Sequence, residues 1–514
     1  MPIARSWSVA LVGVDAHLVE VEVDVATGLP RFILTALSDR VLRNVEHRVH
    51  SAVANSGESW PARKITVGLL PATVPKSGSR FDLPIALALL TAAQALPPEP
   101  LTEWVVLGEL SLTGAVKGVT GVLPSLIGAY RAGRRKFIVP RANYGEAQLI
   151  SDAEIVGVGS LTEVCEWLRG EAPRPTTPDP EAAPVTDDPP DLADVVGQPA
   201  ARRAVEVAAA GGHHMFLTGP PGVGKTMLAE RLPALLPDLN RDEAMEVTAI
   251  HSVAGLLKPG RPLITRPPFC APHHSATTAA IVGGGTGIAA PGAISLAHRG
   301  VLFLDEAPEF GPRSLDALRQ PLESGEVLIQ RSAAVARYPC RFLLVLAANP
   351  CPCSAGGREP GQGCICSSPT RQRYTARISG PLLDRLDIKV TLESVSRAVL
   401  ENGVRGESTG VVRERVLAAR ARAEHRMRDS PWTTVGEVPG PAIRRRWPVP
   451  HEVTRPLYRL LDRGSLSTRG LDRVLKIAWT LADLADLPRP TIDQVQEAYE
   501  LRTGYGVTAL RVPA

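Results

Sequence analysis

Aromatic side chains are scarce in this chain: seven Trp, seven Tyr and eight Phe make only 4 % of its 514 residues. The apolar content is still 44 %, so any core must rest on Leu, Val, Ile and Ala. Long hydrophobic runs are missing too. The longest candidate, residues 85–96, carries Gln94 and spans about a dozen residues, short of the roughly 20 that a membrane helix needs. The first residues hold no defensible targeting signal, because the apolar stretch 9–14 is cut by Asp15 and residues 18–25 then alternate with period two, as a half-exposed strand does. A cytoplasmic protein without membrane contact is the expectation. A large excess of one charge is absent as well: Lys plus Arg exceeds Asp plus Glu by 57 to 53, a net of +4, which does not by itself demand a nucleic-acid partner. No internal repeat is apparent.

What is present is a phosphate loop. Gly219, Pro220, Pro221, Gly222, Val223, Gly224, Lys225 and Thr226 fit G-x-x-x-x-G-K-[ST]. The preceding residues 214–218 read as a short buried strand and residues 227–232 as a helix start, so backbone N–H groups can cradle a triphosphate at a helix N-terminus. In such a loop Lys225 reaches the β- and γ-phosphates and Thr226 puts its hydroxyl on Mg²⁺. About eighty residues on, residues 300–304 form an apolar strand ending in Asp305 and Glu306, the first placed to hold Mg²⁺ and the second to polarise the attacking water. A third apolar strand, residues 342–348, ends in Asn349, a neutral group able to orient that water. Arg385 and Arg469 follow; taken alone, each reads more readily as a surface salt-bridge partner.

The order of these parts resembles an AAA+ ATPase. The strings A-P-H-H-S at 271–275, P-G-A-I-S-L-A-H at 291–298, A-N-P-C-P-C at 348–353 and S-G-P-L-L-D-R at 379–385 are similar to the ComM/YifB branch of Mg-chelatase-like ATPases, over nearly the whole chain. That resemblance implies a homo-oligomeric ring, a hexamer, with ATP and Mg²⁺ held between subunits, Arg385 as the finger reaching the neighbour's γ-phosphate and Arg469 as a sensor on the lid. It also implies an ATP-driven motor on single-stranded or branched DNA, a branch-migration translocase or helicase in recombination or natural transformation. Two other readings stay open. One is a chelatase-type motor for metal insertion into a tetrapyrrole, against which stands the lack of a D-x-S-x-S motif. The other is a regulatory ATPase whose first domain binds a protein partner.

An α/β organisation in three parts is expected. Residues 1–168 form an N-terminal α+β domain, 169–190 a Pro-rich acidic linker, 191–392 the P-loop core with a parallel sheet, and 393–514 a helical lid. The first unit resembles the Lon protease domain, but Asp82 falls near the place of the family's serine and Leu123 at that of its lysine. Peptidase chemistry is therefore expected to be lost, with Lys76, Ser77 and Ser79 the only residues that argue otherwise.

Seven cysteines include two C-x-C pairs, Cys351 with Cys353 and Cys364 with Cys366. Four thiolates so grouped suit a structural Zn²⁺, although the spacing is tighter than a C-x₂-C knuckle; the plainer reading is a reduced loop. Cys165, Cys270 and Cys340 read as ordinary thiols. His273 and His274 are read, on the resemblance, as part of a pore-facing insert. Arg413, Arg415, Arg420, Arg422, Arg426 and Arg428 crowd one lid helix, which reads equally as a phosphate-tracking face or as a solvated one.

Overall fold

The computed structural model describes residues 3–35, 44–176, 189–258, 260–285, 288–331, 334–353, 364, 366–395 and 405–504. Much of the expected linker, residues 177–188, lies outside them. The chain has a mixed α/β fold in which an entirely parallel sheet carries the phosphate loop.

That sheet runs in the order Phe269–Cys270, Val301–Leu304, Leu343–Ala348, Met215–Thr218, Ile388–Thr391, and every neighbouring pair is parallel. All residues of Val301–Leu304 and Leu343–Ala348 are buried, as continuous apolar strands must be when both faces of a parallel sheet are covered. The register sets Thr218 beside Ala348 and Leu304 beside Leu346. The residues that follow these strands therefore emerge along one edge, where ligands collect in such sheets.

Helices Pro199–Gly211, Thr409–Met427 and Thr468–Leu484 cover one face of the sheet. The lid and the sheet share one apolar core, from Val205, Val301 and Val345 through Val416 and Leu471 to Val495. Beneath this junction lies a polar knot. Asp387, 1 % exposed, accepts from Arg473 at 2.5 Å and faces His213 Nδ1 at 3.3 Å, while His213 Nε2 lies 2.8 Å from the Thr480 hydroxyl. Burial alone would raise the Asp387 carboxyl, but Arg473 and His213 hold it well below the usual carboxylate range.

The first 170 residues build a seven-stranded mixed sheet in the order Arg31–Thr35, Lys64–Leu70, Asp15–Ala26, Ala4–Val12, Trp104–Val106, Lys136–Pro140, Glu154–Val158. Along Asp15–Ala26 the valines at 19, 21, 23 and 25 are buried while the residues between them are partly exposed, which is the period-two pattern seen in the sequence. The apolar stretch near residue 85 is the helix Asp82–Ala92, buried on every side. No helix among the described residues is long and apolar enough to cross a membrane. Asp82 itself is fully buried and forms a two-bond pair with Arg48 at 2.7 and 2.8 Å, and Leu123 is fully buried. Lys76 donates to the Pro71 carbonyl and Ser79 to Glu109, so both are committed elsewhere. The two halves meet where helix Arg241–Val253 lies on helix Val122–Arg131: Gly121 N donates to Ser252 O at 2.9 Å, and Glu146 accepts from Leu123 N at 2.8 Å and from the Ser252 hydroxyl.

His214, one residue before the phosphate-loop strand, accepts the Leu344 N–H on its Nδ1 at 3.1 Å. Burial, with Arg473 adding to it against the pull of Asp387, lowers its pKa from 6.5 to about 4. Between those values the unfolded chain binds a proton that the folded chain refuses, so stability falls as pH drops from 6.5 toward 4. The expected loss from this largely buried ring is on the order of 2 kcal/mol. Thermal unfolding across that range should show the slope, and His214→Asn, which keeps an acceptor but cannot titrate, should flatten it.

Candidate nucleotide site

The phosphate loop takes its shape from two glycines. Gly222 and Gly224 have φ of +76° and +96°, left-handed values that side chains resist. Gly224 hands the chain to helix Lys225–Leu235, whose first turn has no side-chain cap. Its free N–H groups and the positive end of the helix dipole make an anion site. Lys225 bends back over the loop, donating to Gly219 O and Pro220 O at 2.8 Å each and to Asn349 Oδ1 at 3.0 Å. Burial lowers its pKa, and the nearby Asp305 and Glu306 charges oppose that fall. Thr226 Oγ1 donates to Asp305 Oδ2 at 2.9 Å, which brings together the hydroxyl and the carboxylate expected to share Mg²⁺. Five residues singled out in the sequence from three separate segments, Lys225, Thr226, Asp305, Glu306 and Asn349, thus converge on one sheet edge. A tie not foreseen in the sequence supports the loop from behind: Gln198 Nε2 reaches Val223 O at 3.4 Å and Glu393 O at 2.5 Å.

Glu306 has φ of +50°, a left-handed conformation that costs a non-glycine residue about 1 kcal/mol or more. In this turn its side chain faces His274, with Nδ1 to Oε2 at 3.2 Å, and the His273 ring lies against His274 with centroids 4.0 Å apart. His274, read as part of a pore-facing insert, thus lies beside the acidic turn that ends Val301–Leu304. The reason is topological. Phe269–Cys270 pairs in parallel with Val301–Leu304, so residues just past Cys270 must reach the edge occupied by Asp305 and Glu306. The sequence signal was a polar residue shortly after a short strand, legible only once that strand's place in the sheet is known.

The two late arginines are elsewhere. Arg385 donates through Nη1 to Pro381 O at 2.8 Å and through Nη2 to Glu323, and its Nε is buried without a partner. Arg469 is exposed in the first turn of helix Thr468–Leu484; Arg473, one turn on, is the residue bound to Asp387.

The arginine-rich lid helix Thr409–Met427 is not a free cationic face. Arg413 pairs with Asp238 at 3.1 Å, Arg415 with Glu206 at 2.6 Å and Glu407 at 2.7 Å, and Arg422 with Asp486 at 2.6 Å. Arg426 grips both oxygens of Asp483 and lies over the Trp479 ring, while Arg420 donates to Ala209 O at 2.8 Å. Five of the six arginines are thus paired within the chain, to neighbouring helices and loops, which weakens the phosphate-tracking reading; Arg428 alone of the six is well exposed, at 68 %.

In the loop after Asn349, the four cysteines expected to group together do so, with all sulfurs within 4.8 Å of one another. Cys165, Cys270 and Cys340 stand apart as free thiols, and burial pushes them up to about 12, 11 and 12.

Comparison with known proteins agrees with this geometry. Residues 191–400 match the family described as magnesium chelatase, subunit ChlI, residues 21–143 that of subunit ChlI of Mg-chelatase, and residues 406–502 that of the ChlI C-terminal region. The class is thus the Mg-chelatase-like AAA+ ATPases, for which ATPase activity follows from the family. Full-length relatives narrow it. The chain is 52 % identical over 507 residues to an uncharacterized protein of Mycobacterium tuberculosis, covering 98 % of this chain and 99 % of that protein. It is 42 % identical to the uncharacterized protein YifB of Escherichia coli, over 96 % of each, and 40 % identical to the competence protein ComM of Haemophilus influenzae, over 94 % of each. The chain belongs to the ComM/YifB family.

Two substitutions separate the roles of neighbouring groups. Glu306→Gln is expected to keep nucleotide binding and lower turnover by about 10²-fold or more. His274→Ala, which frees the Glu306 carboxylate, is expected to lower kcat about tenfold with nucleotide affinity within about twofold of wild type. Steady-state hydrolysis together with fluorescent-nucleotide titration measures both; unchanged kcat in His274→Ala would remove its link to Glu306.

Proposed function

We propose that this chain is an ATP-hydrolysing ring motor acting on DNA, a branch-migration translocase or helicase serving recombination or natural transformation. The observation that carries the DNA reading is its likeness, over 94 % of both chains, to a protein named for competence. The hydrolytic half of the reading draws on the site. Lys225 is held by two loop carbonyls and one amide oxygen, bonds that phosphate oxygens would take over. Thr226 and Asp305 would hold Mg²⁺, which supplies positive charge against the transferring phosphoryl group. Glu306 would then accept a proton from the attacking water, which Asn349 orients.

Arg385 is assigned as a finger acting in a neighbouring subunit. Its tether to Glu323 and Pro381, rather than to any residue of its own phosphate loop, supports action in trans, and hence a homo-oligomer, taken as a hexamer. Arg469, exposed at the start of its helix, is kept as the lid sensor. The Lon-like first unit is assigned a scaffold role without peptidase activity, with a protein partner as its candidate ligand, and the four-cysteine cluster a structural Zn²⁺. The protein is read as cytoplasmic.

The family's own description favours a second reading, a chelatase-type motor for metal insertion into a tetrapyrrole. Hydrolysis by the full chain, without DNA and with single-stranded, duplex and four-way-junction DNA at low salt, decides between them, with Lys225→Ala as the blank. Stimulation by single-stranded or junction DNA that fades with added salt is expected; turnover and binding indifferent to every DNA would remove the DNA motor. Arg385→Ala is expected to lower turnover about 10³-fold with binding retained. Activity should rise more steeply than linearly with protein concentration as rings assemble.

A further inference from the structure

The loop between Asn349 and the segment leading to Arg385 holds the one group of three or more metal-binding side chains found clustered among the described residues. The sulfurs of Cys351 and Cys353 are 3.2 Å apart, those of Cys351 and Cys364 3.5 Å, and those of Cys353 and Cys364 3.6 Å, with Cys366 inside the same 4.8 Å limit. None is in a disulfide. Four thiolates about 2.3 Å from one Zn²⁺ stand at tetrahedron corners about 3.8 Å apart; the three separations above lie somewhat inside that spacing. An iron–sulfur cluster places several metal ions between its thiolates and needs a wider ring, and Mg²⁺ or Ca²⁺ takes oxygen ligands.

The position of the cluster gives it a task. Only Pro350 separates Asn349 from Cys351, whose side chain is buried at 4 % exposure. Asn349 is therefore fixed on one side by the sheet strand Leu343–Ala348 and on the other by the cysteine group, while its Oδ1 receives Lys225. On the far side, Cys366 leads within two residues into helix Ser368–Thr375, and Arg377 just beyond it donates to Pro308 O at 3.3 Å and pairs with Glu309 at 2.9 Å, in the turn that follows Glu306. Along the chain the cluster thus lies between Asn349 and the helix whose far end is tied to the turn after Glu306. A metal there would cross-link two segments that sequence separates, restricting the loop as a closed ring restricts any chain.

We infer that Cys351, Cys353, Cys364 and Cys366 hold one Zn²⁺ as a tetrathiolate, and that this metal holds the Asn349 carboxamide in place beside Lys225, where it orients the attacking water, and so sets the rate of hydrolysis. The second half rests on the ATPase reading above; the first stands without it.

The test uses the full chain purified without chelator. Elemental analysis should find about one zinc and no iron per chain, and cobalt in its place should show thiolate charge-transfer bands with the visible bands of a tetrahedral site. The double variant Cys351→Ser/Cys364→Ser should hold under about a tenth of a zinc per chain and lose about tenfold in kcat, with nucleotide affinity within about twofold of wild type. Cys353→His, which leaves three cysteines and one histidine, should keep the metal and recover most of the turnover, an outcome a misfolded loop would not give. Wild-type protein with neither zinc nor cobalt bands, or with iron instead, overturns the site. Loss of zinc with unchanged kcat overturns the coupling to Asn349. Zinc at about one per chain in a protein that hydrolyses no ATP under any DNA condition refutes the ATPase reading and leaves the metal site intact.

Discussion

The parallel register of three central strands is the constraint on which the site depends. Because Thr218 pairs with Ala348 and Leu304 with Leu346, the loop, the acidic turn and Asn349 leave the sheet side by side. Moving any one strand by a residue would exchange the side chains packed on its two covered faces and carry its terminal polar group away from the others. Lys225 completes what the register begins. Its ammonium satisfies loop carbonyls and Asn349 together, so a buried charge has hydrogen-bonding partners before any ligand arrives.

The same logic governs the lid. The helix Thr409–Met427 carries five arginines, four of which pair with carboxylates from other segments, Glu206, Asp238, Asp483 and Asp486. Asp387, just before the edge strand, collects Arg473 and His213 into the junction. Charged groups that a one-dimensional reading assigns to solvent or to a polyanion are here paired between elements, and for the buried acids Asp483 and Asp387 removing the arginine would leave a buried charge without its ion-pair partner.

The phosphate loop, the acidic strand end and Asn349 were legible because each is a local pattern: an apolar run stopped by a particular polar residue, with chemistry tied to its position. The alternation at residues 18–25 was legible for the same reason. His274 was not, since its contact with Glu306 depends on which strand neighbours Val301–Leu304, a fact of topology rather than of local sequence. The lid arginines were misjudged because the acids that neutralise them lie up to about two hundred residues away; net charge along one helix carries no record of them. The four cysteines fell between these cases, close enough in sequence to suspect and brought together only by the fold.

The continuous apolar core shared by the sheet and lid helices limits how this molecule can move. A lid that swung open as a rigid flap would expose Val345, Val416 and Leu471 together, and burial of such side chains is worth roughly 2 kcal/mol each. Small slides of packed helices over the sheet keep that core covered and so cost less than a rigid opening. In an assembled ring, displacement of that kind would reach a neighbour as a short, stiff stroke, favouring many small steps over a few large ones.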